Sequence, residues 1–203
     1  MWGAEMASNS FVSWRDMTVL TFNGQFDTNI RTGEDYHTLE LGSLLGLLPT
    51  RRPKARAPAF IPSIYNSFDA RCHAVQQAQG QFVALTGDID KGNFPIVEVI
   101  NLTRDLFGPA PAIFIYSTGS ATPEDKRWRI VVPLHEPVSF ERWNEAQKAF
   151  FAYMEKNGVP MDKSLAGAGQ PVYLPNVPSK GRDEDGNPLF YETYLAGETG
   201  VLL

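Results

Sequence analysis

The sequence is short of cysteine, of positive charge and of long apolar runs. A single cysteine, Cys72, excludes an internal disulfide and a cysteine-rich zinc site. It also makes a cytoplasmic setting the default expectation. No apolar run approaches the roughly 20 residues needed to span a bilayer, so no membrane partner is expected. The first ten residues lack the basic-then-apolar pattern of a secretory signal. Lys and Arg number 18 against 23 Asp and Glu, a net charge of −5. That balance argues against a simple phosphate binder, which carries a basic excess. Acidic metal ligands weaken the objection, because the ion they hold reverses the local field. The three histidines, His37, His73 and His135, show no ligand spacing and read as surface or packing residues. Internal repeats and coiled-coil heptads are absent.

What is present suits a single globular domain: 203 residues, 43% apolar and 20% charged. The first 65 residues carry weak signals, a strand over 17–22 and a leucine-rich stretch over 37–48 interrupted by Gly42 and Gly46. Residues 49–62, with four prolines, read as a loop or extended connection. The basic cluster inside it, Arg51, Arg52, Lys54 and Arg56, reads as a solvated loop. Cys72 reads as a buried apolar residue, and Gly167-Ala168-Gly169 as a flexible loop. Asp183–Pro188 reads as an acidic surface turn.

From residue 67 onward the pattern is clearer. Ser67 is a candidate N-cap for a helix over 69–79 that stops at Gly80. The apolar run 82–87 predicts a buried strand ending in Asp88-Ile89-Asp90. Pro95 is placed to open a helix whose apolar face includes Ile96, Val99, Ile100, Thr103, Leu106 and Phe107. Strands are predicted over 112–116 and 128–132, with a polar loop between them. Ser139 caps a third helix with Phe140, Trp143, Gln147, Phe150 and Met154 on one face, and a last strand follows over 171–174. The order β-α-β-β-α-β predicts an α+β, ferredoxin-like (RRM-like) core with spatial strand order 4-1-3-2. An additional N-terminal α/β layer precedes it. Residues 1–80 form an N-terminal subdomain on this reading, 81–178 the core and 179–203 a C-terminal extension.

That topology gathers distant residues at one edge of the sheet. Asp88 and Asp90 end the first core strand, and Ser117, Thr118 and Ser120 follow the second. Arg127 and Arg129 open the third, and Asp162 and Lys163 approach the fourth. Alternation along a strand points Asp88 and Asp90 to the same side. Two carboxylates on one face repel unless a cation lies between them, and Mg²⁺ or Mn²⁺ takes such oxygen ligands. Asp162 is placed as a third carboxylate, and arginines match phosphate geometry. A simpler role also stands for each: Asp-x-Asp in a surface turn, Asp162 as a cap ahead of Ser164, Arg127 and Arg129 exposed around a buried Trp128.

Three segments, FVALTGDIDKGN, AIFIYSTGSATPEDKRWRIVVPLHEPVS and GVPMDKSLAGAGQPVYLPN, resemble the archaeo-eukaryotic primase superfamily. They are most similar to the primase–polymerase domains of phage and plasmid replication proteins, over about Ala57 to Pro178. The resemblance implies a metal-dependent nucleotidyltransferase that uses a DNA template and nucleoside triphosphates, with a fused or associated helicase as partner. It implies Asp88, Asp90 and Asp162 as catalytic ligands of Mg²⁺ or Mn²⁺. Ser117, Ser120, Lys126, Arg127 and Arg129 become nucleotide-binding residues. The chain departs from the pattern at Ala121, where the family's second motif commonly has a histidine near the phosphates. Either Lys126, Arg127 or Arg129 compensates, or the domain is a non-catalytic DNA-binding module of a replication initiator. Asp-x-Asp alone also suits a glycosyltransferase, which would have a parallel sheet. The ending Gly200-Val201-Leu202-Leu203, without a polar tail, suggests a piece of a larger protein.

Overall fold

A computed structural model describes residues 13–24, 27, 34–177, 185 and 190–203. The described residues form an α+β fold, with two four-stranded antiparallel sheets and three α-helices. The first sheet has the order β2-β1-β3-β7, formed by β1 (Thr18–Asn23), β2 (His37–Glu40), β3 (Pro58–Phe60) and β7 (Val172–Tyr173). The second has the order β4-β6-β5-β8, formed by β4 (Gln81–Ile89), β5 (Ile113–Ser117), β6 (Trp128–Ser139) and β8 (Thr193–Ala196). The helices are α1 (His73–Gln79), α2 (Ile96–Phe107) and α3 (Phe140–Lys156).

The local signals explain most of these elements. The apolar run of β4 is buried from Phe82 to Ile89. Helix α3 turns Trp143, Gln147, Phe150, Phe151 and Met154 inward and gives way to Gly158, whose φ of 83° suits glycine. Three boundaries differ from expectation. Helix α1 begins at His73 rather than Asp69, because the Gln76 side chain donates to the Ala70 carbonyl (2.7 Å) and holds the preceding residues in turns. Pro95 lies just before α2 rather than in it. Strand β6 continues past Val132 through Pro133, which sits opposite Ala84 at a register shift where a missing N–H is tolerated.

The larger correction concerns topology. Strands β4, β6 and β5 keep the expected 1-3-2 arrangement, but the fourth core strand does not flank β4. Strand β7 pairs instead with β3 in the other sheet. The outer edge of β4 is closed by other groups. Ile64 N–H donates to Gln81 O and Val83 N–H to Pro62 O. Trp143 Nε1 donates to Ala84 O (2.9 Å), and the Gln147 amide accepts from Thr86 N–H and donates to Thr86 O. Asp162 N–H donates to Asp88 O at 2.9 Å. A strand needs its polar edge satisfied, and two side chains of α3 do much of that here.

One apolar core runs through both sheets, joining Trp14, Val19 and Phe60 to Leu85, Ile113, Trp128, Ile130 and Phe150. Residues Gly167–Gly169 are packed rather than loose: Ala168 is buried, and a Cβ on Gly169 would meet Arg71 O at 2.9 Å. Cys72 is exposed, not buried. The acidic turn expected over 183–188 lies outside the described residues, Asp185 excepted. Among the described residues, no helix is long and apolar enough to cross a membrane.

Candidate metal and anion site

Strand alternation puts Ile89 into the core and turns Asp88 and Asp90 toward the opposite side. The segment after α3 crosses the end of β4, where Gly87 leaves room: a Cβ there would meet the Met161 methyl at 2.6 Å. This crossing carries Asp162 to the same place. One carboxylate oxygen from each of Asp88, Asp90 and Asp162 lies within 4.8 Å of the other two. Asp162 also caps the 3₁₀ turn Lys163–Ala166, accepting from Ser164 N and Ser164 Oγ, each at 2.9 Å. Its capping and clustering roles coexist.

Asp88 is 6% exposed and Arg129 7%. Arg129 Nη2 donates to Asp88 Oδ2, and Arg129 Nη1 donates to Tyr173 O at 3.0 Å. Tyr116 donates its hydroxyl to the same carbonyl at 2.7 Å. Burial holds the Asp88 carboxyl above the ordinary carboxylate value; Arg129 pulls it back, and Asp90 and Asp162 push it up again. Burial is the largest influence on Arg129 and opposes its charge, but Asp88, Tyr116 and Asp90 together outweigh it and hold the guanidinium above its ordinary value. Asp88 Oδ1 and Arg129 Nε are buried without a hydrogen-bond partner. An orphaned carboxylate oxygen beside two more carboxylates is a donor set that could hold a hard divalent cation.

These groups open onto a cavity of about 390 Å³. Its lining includes Asp88, Asp90, Asp162, Ser120 and Arg129 from the expected set. The other expected residues lie elsewhere. Ser117 is buried, and its Oγ accepts from Glu192 N (3.2 Å). Lys126 Nζ donates to Pro123 O (2.8 Å). Arg127 pairs with Asp125 at 2.6 Å and stands 4.0 Å from Asp90, beside the opening. Ala121 is 2% exposed and turned inward.

Sequence reasoning missed several lining residues. Arg52 and Lys54, read as part of a solvated loop, are exposed but line the cavity, as do Tyr173 and Asn176. They come from the first sheet and its flanks. The basic cluster itself was the only available signal, and it does not say which way a loop faces. Comparisons of the chain with protein-family models, with curated proteins and with solved structures find no match.

Proposed function

We propose that this protein is a metal-dependent nucleotidyltransferase of the primase–polymerase kind, acting on a DNA template with nucleoside triphosphates. The carrying observation is the convergence of Asp88, Asp90 and Asp162, with Asp88 Oδ1 buried and unpartnered, in a cavity also lined by cations. The β-α-β-β-α-β order from β4 to β7 supports a ferredoxin-like ancestry in which the last strand has moved to the neighbouring sheet. A glycosyltransferase is disfavoured, because every pairing between named strands is antiparallel.

In this reading Asp88, Asp90 and Asp162 hold Mg²⁺ or Mn²⁺. Bound there, such an ion would supply charge neutralisation for phosphoryl transfer. Arg129 fixes the rotamer of Asp88 and balances its charge. Tyr116 and Tyr173 fix Arg129 in turn, through the shared carbonyl of Tyr173. Catalysis of this class depends on positioning more than on a strong base, and the interlocked Asp88–Arg129–Tyr173 arrangement suits it.

The decisive test is extension of a labelled primer on a DNA template with Mn²⁺ and nucleoside triphosphates. Extension is expected, and Asp88→Ala with Asp90→Ala is expected to abolish it. The buried methyl of Ala121 favours a second reading, a non-catalytic DNA-binding module. Under that reading the parent chain extends nothing, and salt-sensitive DNA binding survives Asp88→Ala with Asp90→Ala.

A further inference from the structure

We infer that the polyphosphate end of the substrate is received by Arg52 and Lys54, opposite the Thr118–Ser120 turn. This inference rests on the proposed function, since it names the part of that substrate which the carboxylates do not hold. The cations expected from the sequence are committed elsewhere. Arg129 is locked to Asp88 and Tyr173 O. Arg127 is held by Asp125, and Lys126 by Pro123 O and Asn93 Oδ1; neither lines the cavity.

Arg52 and Lys54 do line it, and among the described residues neither forms an ion pair. Among the described residues, their side-chain contacts are with neutral groups. Arg52 Nη1 donates to Asn23 Oδ1 at 3.2 Å, and Lys54 Nζ stands 5.6 Å from the Tyr173 ring centroid. A guanidinium with one neutral partner keeps donors for an anion. The cavity is therefore bipolar, with carboxylates from β4 and the segment after α3 facing cations from the loop before β3. A divalent cation complexed to a polyphosphate has the matching charge pattern.

The loop is also built to hold this position. Asn176 is buried and clamps it with three contacts. Its Oδ1 accepts from Arg52 N (3.0 Å) and Thr50 Oγ1 (2.9 Å), and its Nδ2 donates to Arg52 O (2.9 Å). The same side chain abuts Gly119, where a Cβ would come within 2.9 Å of Asn176 Nδ2. One residue thus sets the spacing between the basic loop and the Thr118–Ser120 turn. Thr118 Oγ1 and Ser120 Oγ, 3.4 Å apart, add hydroxyls across the gap. Arg129, whose Nε is buried and unpartnered, also lines this cavity. Asn176 is a positioning residue; Arg52 and Lys54 make the contact.

The test is calorimetry on the full chain with three titrants: Mn²⁺ alone, tripolyphosphate with Mn²⁺, and a nucleoside triphosphate with Mn²⁺. Arg52→Ala with Lys54→Ala is expected to weaken tripolyphosphate and nucleotide about 10- to 100-fold. Mn²⁺ alone should bind the variant no less tightly, because two cations beside the carboxylates are gone. Both side chains are exposed, and unchanged thermal melting checks that the fold survives. A charge-matched control, Lys148→Ala with Lys156→Ala, should leave all three titrations unchanged. Equal tripolyphosphate binding by parent and Arg52/Lys54 variant overturns the inference, as does no binding by the parent. If tripolyphosphate binds through Arg52 and Lys54 while the parent neither binds Mn²⁺ nor extends primers, the anion site stands and the nucleotidyltransferase reading falls.

Discussion

At the scale of single residues, Asp88 and Arg129 are each costly to bury and tolerable only together. Removing one partner of a buried pair leaves the other charge uncompensated, at about 3–5 kcal/mol. Arg129→Met is therefore expected to destabilise the fold by about that amount near neutral pH, read by urea unfolding. The sign with pH follows from Asp88, whose carboxyl is already held above its ordinary value. Without Arg129 it rises further. A raised carboxyl binds a proton in the folded state that the unfolded chain has released, so stability falls as pH rises through that window. The deficit of Arg129→Met should thus shrink as pH is lowered toward the ordinary carboxylate range. An equal deficit at pH 5 and pH 7.5 would contradict this account. A second outcome concerns Asp90, which is exposed and adds like charge to Asp88. Asp90→Asn should leave the metal-free protein as stable as the parent or more so. Saturating Mn²⁺ should raise the parent's Tm by several degrees, and Asp90→Asn should lose that rise; differential scanning calorimetry reads both.

At the scale of elements, β4 is a sheet edge that behaves as a core strand. Its outward N–H and C=O groups are satisfied by Gln147 and Trp143 of α3, by the chain at 62–64 and by Asp162. Gln147 is fully buried; its side chain accepts from the backbone N–H of Thr86 and donates to the Thr86 carbonyl. Gln147→Leu keeps the volume but strands two buried backbone groups, an expected cost of about 2–5 kcal/mol. Chemical denaturation checks this, and a cost under about 1 kcal/mol would show that water or a shift of β4 replaces the amide. The sequence showed Gln147 within an apolar helix face, yet gave no sign that it would stand where a neighbouring strand was expected. Strand β7 is two residues long and pairs with β3. Periodicity marks a segment as strand-like but is silent about its partner, because partner choice depends on where the chain has already been folded.

At the scale of the whole molecule, the candidate site is lined by residues of both sheets and their flanks. Asp88 and Arg129 come from the second sheet; Arg52, Lys54 and Tyr173 come from the first and its flanks. The shared core and the β3–β7 pairing couple them. A fragment beginning at residue 81 removes β1 to β3, leaves β7 without a partner and exposes the side of the core that Phe60 and Val19 cover. It is expected to show no cooperative unfolding transition, whereas the full chain shows one, as followed by near-ultraviolet circular dichroism. A cooperative transition in that fragment would make the division at residue 80 a true domain boundary.

The sequence by itself determined the strand carrying Asp88 and Asp90, their common side, the helices behind them and the elements that bring up Arg129 and Asp162. These follow from alternation, helical periodicity and the glycines and prolines that stop each element, all of which are local. Only the tertiary structure decided that β7 joins the other sheet, that Arg129 is spent on Asp88, and that Arg52 and Lys54 line the same cavity as the carboxylates. Those outcomes depend on contacts between residues far apart in the chain, such as Asn176 with Arg52, whose energy no local pattern records.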